Sequence, residues 1–479
     1  MVLRDVLAGL QLKKANCDLE LPISAICHDS RQVSPGALFV AISGYMVDGN
    51  RFVDSALAAG AVAVVTERPV EGTPYIQVED AREALAVIAA NFQRHPAREM
   101  VMIGVTGTNG KTTSTYLLKH LLELHGAKVG LIGTNQNMIG EQVLHTDRTT
   151  PEPNGLHALL REMADAGCTH VVMEVSSHSL VLHRVHGIEF EVGIFTNVSQ
   201  DHLDFHKTME AYIEAKSRLF FQCKKGVINL DDDAAQAMMR APGCQYVTYS
   251  AQKNEADVLA KNVRLKARGI AFEAVCDCDI ARIELPIPGE FSVYNALCVV
   301  AAAHAMGISL QECARGLRTA HGVKGRAEVV PTDTDYTVMS DYAHSPGGLE
   351  NILKTVRGFA EGRVIVVFGC GGDRDSAKRP IMGRVASELA DVLVVTSDNP
   401  RSEDPQAIID QILPGITKKK ENVYVEPNRP RAIHYALEHA RAGDVVVLAG
   451  KGHETYQEIC GVKHHLDERE VIAEYFAQR

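Results

Sequence analysis

The sequence predicts an α/β protein of three domains. Its 479 residues are too many for one core of ordinary size, and typical domain lengths give about three domains. Short apolar runs alternate with stretches of helical periodicity, which is typical of parallel sheets covered by helices on both faces. The pattern changes near Met100 and again near Gly325, so we place the domains at 1–97, 98–326 and 327–479.

The first domain is predicted to be a small α/β unit. An apolar strand from Gly36 to Ala41 is followed by a helix from Phe52 to Ala59, which Gly60 closes. The next apolar run, Ala61 to Thr66, is predicted to be a strand. The stretch from Phe92 to Glu99 is predicted to be a linker.

The central domain is predicted to contain a mostly parallel sheet. Its strand-like runs are separated by helical stretches, as strand–helix–strand units require. The runs are Met100–Thr106, Val129–Ile132, His170–Val175, Glu191–Thr196 and Val227–Leu230.

The last domain is predicted to be a doubly wound, Rossmann-like sheet with helices between its strands. Its predicted strands are Thr337–Ser340, Arg363–Phe368, Val392–Thr396 and Asp444–Ala449. Polar clusters follow the last three of these strands, at 371–374, 398–401 and 450–454. Ligands of open α/β sheets bind outside the carboxyl ends of strands, so we expect a charged pocket there, facing the central domain.

The composition excludes some classes of function. A net charge of −11 disfavours nucleic-acid binding, because phosphate backbones call for a basic face. No apolar run reaches the roughly 18 residues of a membrane span, and we expect no membrane partner. The eleven cysteines form no C-x-x-C pair, and their scatter suits a reducing cytosol, so we expect a cytoplasmic protein.

A glycine-rich loop from Gly107 to Thr112 follows an apolar strand and opens a helix. Such a loop turns backbone N–H groups toward phosphates, and the helix N-terminus adds partial positive charge. Lys111 can reach the terminal phosphates and the Thr112 hydroxyl can ligate Mg²⁺. Val105 stands where the full Walker pattern has glycine, so the loop is a shortened variant. We expect it to bind ATP.

Three further ionisable residues each allow a structural and a functional interpretation. Glu174 interrupts an apolar run, and it either lies on a solvent-facing edge strand or is paired or metal-bound in a central strand. His202 follows the next strand and is either a surface residue or a ligand of metal or phosphate. Lys216 lies on the apolar stripe of a helix predicted over 208–220, as a snorkelling side chain or as a buried lysine with a lowered pKa.

An ordered set of motifs along the chain resembles the Mur ligases of peptidoglycan synthesis. Any one motif is weak, whereas the ordered set covers essentially all of the chain. It consists of Gly107–Thr112, Glu174, 197–204, Lys216, Asn295, Arg326 and 341–344.

The resemblance implies an ATP-dependent ligase that uses Mg²⁺. The implied ATP-binding residues are Gly107, Thr108, Asn109, Gly110, Lys111, Thr112, Thr113, Asn295 and Arg326. The implied catalytic residues are Lys111, His202, Lys216 and His344. The implied metal ligands are Thr112, Glu174, His202 and Lys216, the last as N6-carboxylysine.

Within the family, the chain resembles the members that act at the tripeptide-forming step. The implied substrates are UDP-MurNAc-L-Ala-D-Glu, meso-diaminopimelate and ATP, and the family suggests a monomer. The amino-terminal domain would bind UDP. The implied contacts to the UDP-muramoyl dipeptide are Ser30, Arg148, Thr149, Thr150, Ser176 and Arg184. Leu182 departs from the family's glutamine, and Arg148 stands where some members have asparagine.

The 398–401 motif resembles the one that marks diaminopimelate addition rather than lysine addition. Diaminopimelate differs from lysine by a distal carboxylate, and a guanidinium such as that of Arg401 pairs with a carboxylate through two N–H groups. Glu454, with the Gly450 carbonyl, is expected to hold the distal ammonium. The implied diaminopimelate-binding residues are Arg374, Asp398, Asn399, Pro400, Arg401, Gly450 and Glu454.

The expected chemistry is activation of the D-glutamyl γ-carboxylate as an acyl phosphate, which the amine then attacks. A lysine-adding ligase of the same step is the nearest alternative. A folylpolyglutamate synthase-like ligase is another, although it lacks the amino-terminal unit around Ser30. A non-catalytic nucleotide-binding regulator is a third class, and the polar groups after three strands disfavour it.

Overall fold

The computed structural model describes residues 1–44, 47–146, 148–266, 268–277 and 279–477. The chain divides into two compact units. The first comprises 1–258 with 301–307, and the second comprises 259–300 with 308–479. Both units contain sheets with helices packed on them, so the predicted α/β class is confirmed.

The amino-terminal part of the first unit is a five-stranded sheet in the order β1-β5-β4-β3-β2. Only β1 is antiparallel to its neighbour, and buried aliphatic side chains of β3 and β4 pack against α1 and α3. Its elements are α1 Leu3–Val6, β1 Lys14–Ala15, β2 Ala25–Cys27, β3 Ala37–Val40, α2 Val53–Ala58, β4 Ala63–Thr66, β5 Tyr75–Gln77 and α3 Ala81–Phe92.

A second sheet in the same unit follows the order β13-β12-β11-β6-β10-β7-β8-β9. From β13 to β7 the neighbours are parallel, and β6 lies between β11 and β10. Its elements are β6 Val101–Thr106, α4 Lys111–Leu124, β7 Val129–Ile132, β8 Asn137–Ile139, β9 Gln142–Leu144, α5 Pro153–Asp165, β10 His170–Glu174, α6 Ser177–Val181, β11 Phe190–Phe195, α7 Leu203–His206, α8 Met209–Ser217, β12 Cys223–Asn229, α9 Ala235–Met238 and β13 Gln245–Ser250.

The second unit contains a six-stranded sheet in the order β17-β18-β22-β19-β20-β21, with β17 alone antiparallel to its neighbour. Separate hydrophobic clusters cover its two faces, as a doubly wound sheet requires. The elements from here on are β14 Val258–Lys266, β15 Gly269–Cys276, β16 Asp279–Leu285, α10 Glu290–Ala305, α11 Leu310–Arg318, β17 Glu328–Val330, β18 Thr337–Asp341, α12 Pro346–Arg357, β19 Val364–Phe368, α13 Lys378–Leu389, β20 Val392–Val395, α14 Pro405–Ile412, β21 Val423–Val425, α15 Arg429–His439, β22 Val445–Ala449, β23 Tyr456–Ile459, β24 Val462–His465 and α16 Glu468–Ala477.

The strands predicted from apolar runs are present within one to four residues of their predicted ends. The expected linker contains a short 3-10 helix, Pro96–Glu99. The domain boundaries after residues 97 and 326 stay a prediction. Among the described residues, no helix combines the length and apolar character that a bilayer crossing requires.

Candidate active site

The glycine-rich loop joins the carboxyl end of β6 to the first turn of α4. Gly107 and Gly110 have φ angles of +150° and +84°, in the region that favours glycine. The neighbouring strand end holds the loop: the Thr108 N–H donates to the Asn197 carbonyl (2.8 Å) and the Asn109 N–H to the Asn197 Oδ1 (2.9 Å). The segment after β11 therefore supports the loop.

The loop carbonyl of Gly107 accepts hydrogen bonds from two lysine side chains. Lys111 Nζ lies 2.9 Å from this oxygen and Lys216 Nζ lies 2.8 Å from it. Lys216 is only 1% exposed, so the buried alternative is correct and the snorkelling one is wrong. Burial, and secondarily the charge of Lys111, holds the pKa of Lys216 well below its usual range. A lysine in this environment can present a neutral, nucleophilic amine.

His202 and Lys216 both lie near the Tyr212 ring. Lys216 Nζ is 4.3 Å from the ring centre, and the His202 ring is 6.2 Å away, centroid to centroid. The Tyr212 hydroxyl lies 3.1 Å from Thr108 Oγ1, and burial raises the pKa of Tyr212 to about 12. Tyr212 thus connects the loop to both predicted metal ligands, a role that sequence reasoning missed.

Other histidines surround His202. The His178 ring lies 4.9 Å from the His202 ring and 5.4 Å from the His206 ring. His206 Nε2 is 2.9 Å from Ser177 Oγ, and burial, with a smaller effect of His178, lowers the pKa of His206 to about 4. His206 is therefore neutral near pH 7 and can orient Ser177.

Glu174 is the last residue of β10 and is only 1% exposed. Since β10 lies between β6 and β7, the edge-strand alternative is wrong. Its carboxylate accepts hydrogen bonds from the N–H and the hydroxyl of Thr134, both at 2.9 Å. Within the described ranges Glu174 forms no ion pair, which is unusual for a buried carboxylate. Thr112 and Thr113, in the first turn of α4, are also buried.

The predicted dipeptide contacts next to Glu174 lie together. Thr150 Oγ1 donates to the Glu174 carbonyl (2.9 Å) and lies 3.4 Å from Ser176 Oγ. Thr149 Oγ1 lies 3.0 Å from the hydroxyl of Thr134. These hydroxyls form one polar surface beside the buried carboxylate.

Two predicted arginines share one carboxylate that sequence reasoning missed. Glu152 pairs with Arg148 (3.1 Å) and with the largely buried Arg184 (2.6 Å), whose Nη1 also donates to the Thr150 carbonyl (3.1 Å). Burial lowers the pKa of Arg184, although Glu152 opposes this shift. Ser30 lies in a 3-10 turn whose N-cap is Asp29.

In the second unit, the clusters after β20 and β22 meet through a buried lysine. Lys451 is fully buried, and its Nζ donates to Asn399 Oδ1 (2.7 Å) and Glu454 Oε2 (3.0 Å). Asn399 Nδ2 also donates to Glu454 Oε2 (2.9 Å). Sequence reasoning named Asn399 and Glu454 but missed Lys451, which fixes both.

Side-chain atoms of Arg401 and Arg374 both lie close to Gly371. A Cβ at Gly371 would lie 3.0 Å from Arg401 Nη1 and 3.8 Å from Arg374 Cγ. Arg401 is held with φ +51° after the buried Pro400, whereas Arg374 is exposed. The Gly371 segment therefore lies close to side-chain atoms of both arginines and to the Asn399 carbonyl oxygen.

Asp398 and Gly450 approach closely at the same place. A Cβ on Gly450 would lie 2.4 Å from Asp398 Oδ2, so this position has room only for glycine. Asp398 is buried, and its Oδ2 has no hydrogen-bond partner among the described residues. Such an oxygen is available to a ligand that donates a hydrogen bond.

A buried ion pair ties these strand ends together. Arg429 and Glu468 are both fully buried, with Nε donating to Oε1 at 2.8 Å. Arg429 also donates to the carbonyls of Ala449 (2.9 Å) and Ser397 (3.3 Å), the residues just before the two polar clusters. Arg429, at the start of a helix, gave no sequence signal of this role.

The remaining predicted nucleotide contacts belong to the second unit. Asn295 is buried in α10. Arg326 lies over the Tyr342 ring (5.4 Å to its centre), and its Nε is buried without a hydrogen-bond partner among the described residues. The His344 ring lies 4.7 Å from the same tyrosine ring, so Arg326, Tyr342 and His344 form one group.

A glycine-rich loop with a buried lysine in one unit, and clusters of charged side chains at strand ends in the other, are typical of a nucleotide-dependent enzyme. Family models support this class: the Mur ligase family catalytic domain matches residues 22–93, the Mur ligase middle domain 105–303, and the Mur ligase glutamate ligase domain 325–452. The chain therefore belongs to the Mur ligase family. It is a ligase, and the predicted three-part α/β architecture is confirmed.

Two similar curated proteins carry the same name. The UDP-N-acetylmuramoyl-L-alanyl-D-glutamate--2,6-diaminopimelate ligase of Clostridioides difficile (strain 630) is 44% identical, with 99% of each chain covered. The enzyme of the same name from Caldanaerobacter subterraneus subsp. tengcongensis is 47% identical, over 100% of this chain and 99% of its own. The family resemblance drawn from the motifs is confirmed.

Solved structures agree with this grouping. A structure of a UDP-N-acetylmuramoyl-L-alanyl-D-glutamate--2,6-diaminopimelate ligase superposes with a TM-score of 0.76 at 34% identity, covering 100% of this chain and 99% of its own. The MurF ligase from Thermotoga maritima in complex with ADP gives a TM-score of 0.61 at 20% identity, covering 96% and 98%. The second likeness concerns the fold alone.

Proposed function

We propose that this chain uses ATP to join meso-diaminopimelate to the D-glutamyl γ-carboxylate of UDP-MurNAc-L-Ala-D-Glu. The relatives and the 34% identical structure that carry this name cover the chain from end to end. We further propose that it acts in the cytoplasm as a monomer, with domains at 1–97, 98–326 and 327–479.

One observation carries the proposal. The carbonyl of Gly107, inside the phosphate loop, accepts from both Lys111 and the buried Lys216. Lys111 is placed to neutralise charge on the transferring phosphoryl group. Lys216, whose pKa is held low by burial, is suited to react with CO₂ as a free amine and so become a carboxylate beside the nucleotide.

The chemistry of the donor set fits Mg²⁺. Thr112 and Glu174 offer oxygen ligands, which Mg²⁺ prefers, and Glu174 is a buried carboxylate with no cationic partner in the described ranges. Carbamylated Lys216 and His202 would hold a second ion. When bound, the metal would neutralise the phosphate charges.

The reaction proceeds in two steps. A γ-carboxylate oxygen of the substrate attacks the γ-phosphorus of ATP, which releases ADP and leaves an acyl phosphate. The neutral amine of diaminopimelate then attacks the acyl carbon, and the tetrahedral intermediate expels phosphate and loses a proton. Thr150, Ser176 and Arg184 would position the dipeptide next to Glu174.

The second unit holds the remaining residues that we propose as ligand contacts. Asn295, Arg326 and His344 would contact ATP. The buried Nε of Arg326, which has no hydrogen-bond partner among the described residues, could donate a hydrogen bond to it. The pocket of Arg374, Arg401 and Glu454 would receive the distal carboxylate and ammonium of the amino acid. Asp398 would accept a hydrogen bond through its free Oδ2.

The test is phosphate release by the purified chain with ATP, Mg²⁺ and UDP-MurNAc-L-Ala-D-Glu, in the presence of one amino acid at a time. We expect diaminopimelate to support turnover far better than lysine, and Arg401→Ala to reduce that preference. A chain that prefers lysine would be the lysine-adding ligase. Turnover with a folate and glutamate, or no substrate-dependent turnover, would refute the proposal.

A further inference from the structure

Arg401 is already paired with a side chain of its own unit. Its Nε lies 3.4 Å from Glu458 Oε2, with the two side chains 23% and 27% exposed. The main chain fixes this approach, because the Arg401 N–H donates to the Glu458 carbonyl (3.0 Å) and the Cys460 N–H donates to the Arg401 carbonyl (2.7 Å). Glu458 is thus held next to the guanidinium by the β23–β24 hairpin.

The hydrogen bonds of Arg401 determine which edge of the guanidinium a ligand can use. Nη1 donates to the Gly372 carbonyl at 2.7 Å. Neither Nε nor Nη2 donates to a carbonyl among the described residues, so the edge of these two nitrogens can form a two-point pair with a carboxylate. Glu458 lies at Nε, so a substrate carboxylate and Glu458 compete for the same edge.

The ion pair of Arg401 and Glu458 is weak enough for another carboxylate to replace Glu458. Its 3.4 Å separation is longer than the roughly 2.7–2.9 Å of a charge-assisted hydrogen bond, and partly exposed pairs contribute little free energy. Glu458 also lies directly across from Lys463 of β24. A displaced Glu458 carboxylate can therefore approach another cation on the facing strand.

We propose that Glu458 is an internal counter-ion of Arg401 that the distal carboxylate of the amino-acid substrate must displace. This inference rests on the proposed function. Glu458 acts through Arg401 and is a positioning residue. It keeps the guanidinium neutralised while the pocket is empty, and it weakens the binding of diaminopimelate by the free energy of one partly exposed ion pair. Lysine has no distal carboxylate and does not enter this exchange.

The test is steady-state kinetics of the full chain with E458Q, which removes the charge and keeps the shape. The KM for diaminopimelate should fall by about two- to fivefold, the range that a partly exposed pair allows, with kcat unchanged. E458D, which keeps the charge, should stay close to the wild-type KM. E470Q removes a carboxylate that pairs with His465 near the end of the same hairpin, and it should leave both constants unchanged.

A double-mutant comparison shows whether the effect passes through Arg401. R401K keeps a cation without the two-point edge, so adding E458Q to it should change the KM much less than in the wild type. An unchanged or higher KM in E458Q, or the same fall in the R401K background, would overturn the inference while diaminopimelate turnover leaves the proposed function standing. Absence of that turnover in the wild type would instead overturn the proposed function and this inference with it.

Discussion

Lys216 shows how one side chain can combine a structural cost with a chemical use. Its amine is 1% exposed, lies close to Lys111 and donates to a loop carbonyl. Burying an amine on a helix face costs free energy of desolvation. Apolar side chains would pack there more favourably. The low pKa that burial produces is useful only if the neutral amine has a reaction to perform.

Replacing Lys216 should therefore abolish activity without abolishing the fold. We expect Lys216→Ala to reduce turnover by more than about a hundredfold, as loss of a preorganised charge at a phosphoryl-transfer site does. Millimolar short carboxylic acids should partly restore it by supplying the missing carboxylate. Lys224→Ala, which removes an exposed lysine paired with Glu189 and Glu191, is the control and should keep full activity. Lack of any rescue would contradict the carbamate.

His157 is also buried, but we assign it no role in the reaction. Both its ring nitrogens are buried and without partners among the described residues, and burial, then the charge of His95, lowers its pKa to about 4. In the unfolded chain His157 binds a proton near the ordinary pKa of 6.5. The stability contributed by its neutral, buried form is therefore full above pH 6.5 and is lost as the pH falls toward 4.

This predicts a pH-dependent stability difference. On acidification from about pH 7 to pH 5, His157→Leu should lose about 2 kcal/mol less unfolding free energy than the wild type, since each pKa unit corresponds to about 1.4 kcal/mol. Urea unfolding at the two pH values measures it. His321→Leu, at an exposed position, should follow the wild type. Equal losses for wild type and His157→Leu would show that His157 is not the group responsible.

At the scale of elements, the sequence predicted best what is buried on both faces. Parallel strands such as β19 and β22 are continuous apolar runs, which is why their positions could be predicted within a residue or two. The β23–β24 hairpin was not predicted, because its side chains are mostly polar and partly exposed. Lys451 and Arg429 were missed for a related reason, since the sequence does not show which charged side chains tertiary contacts will bury.

The loop after β6 has no room for a side chain at Gly107. A Cβ at Gly107 would lie 1.9 Å from Thr196 Oγ1 and 3.1 Å from the Asn197 carbonyl oxygen, at φ +150°. Gly107→Ala should therefore displace the loop from β11, weaken nucleotide binding strongly and cost about 1–3 kcal/mol of stability.

The matched control lies in α5. A Cβ at Gly155 would meet nothing nearer than 3.9 Å, so Gly155→Ala should raise stability by about 0.5–1 kcal/mol through helix propensity and leave nucleotide binding unchanged. Denaturant unfolding and titration with a non-hydrolysable ATP analogue measure both effects. Normal nucleotide affinity in Gly107→Ala would mean that the loop tolerates a side chain there.

At the scale of the whole molecule, the groups proposed for the two chemical steps belong to different units. The phosphate loop, Lys216 and Glu174 lie in the first unit, and Arg401 and Glu454 lie in the second. In the proposed mechanism, activation of the carboxylate depends on the first set. Capture of the amine depends on the residues proposed at the ends of β20 and β22, none of which is a predicted metal ligand.

The two steps should therefore be separable by mutation. With ATP and UDP-MurNAc-L-Ala-D-Glu but no amino acid, hydroxylamine should trap the acyl phosphate as a hydroxamate. Arg401→Ala should keep this trapped product near the wild-type amount while its diaminopimelate-dependent turnover falls, because the amino acid is the one substrate that we propose the guanidinium contacts. Lys216→Ala should lose both signals. If Arg401→Ala also failed to form the hydroxamate, the pocket of the second unit would be needed for activation itself, and the division of labour between the units would be wrong.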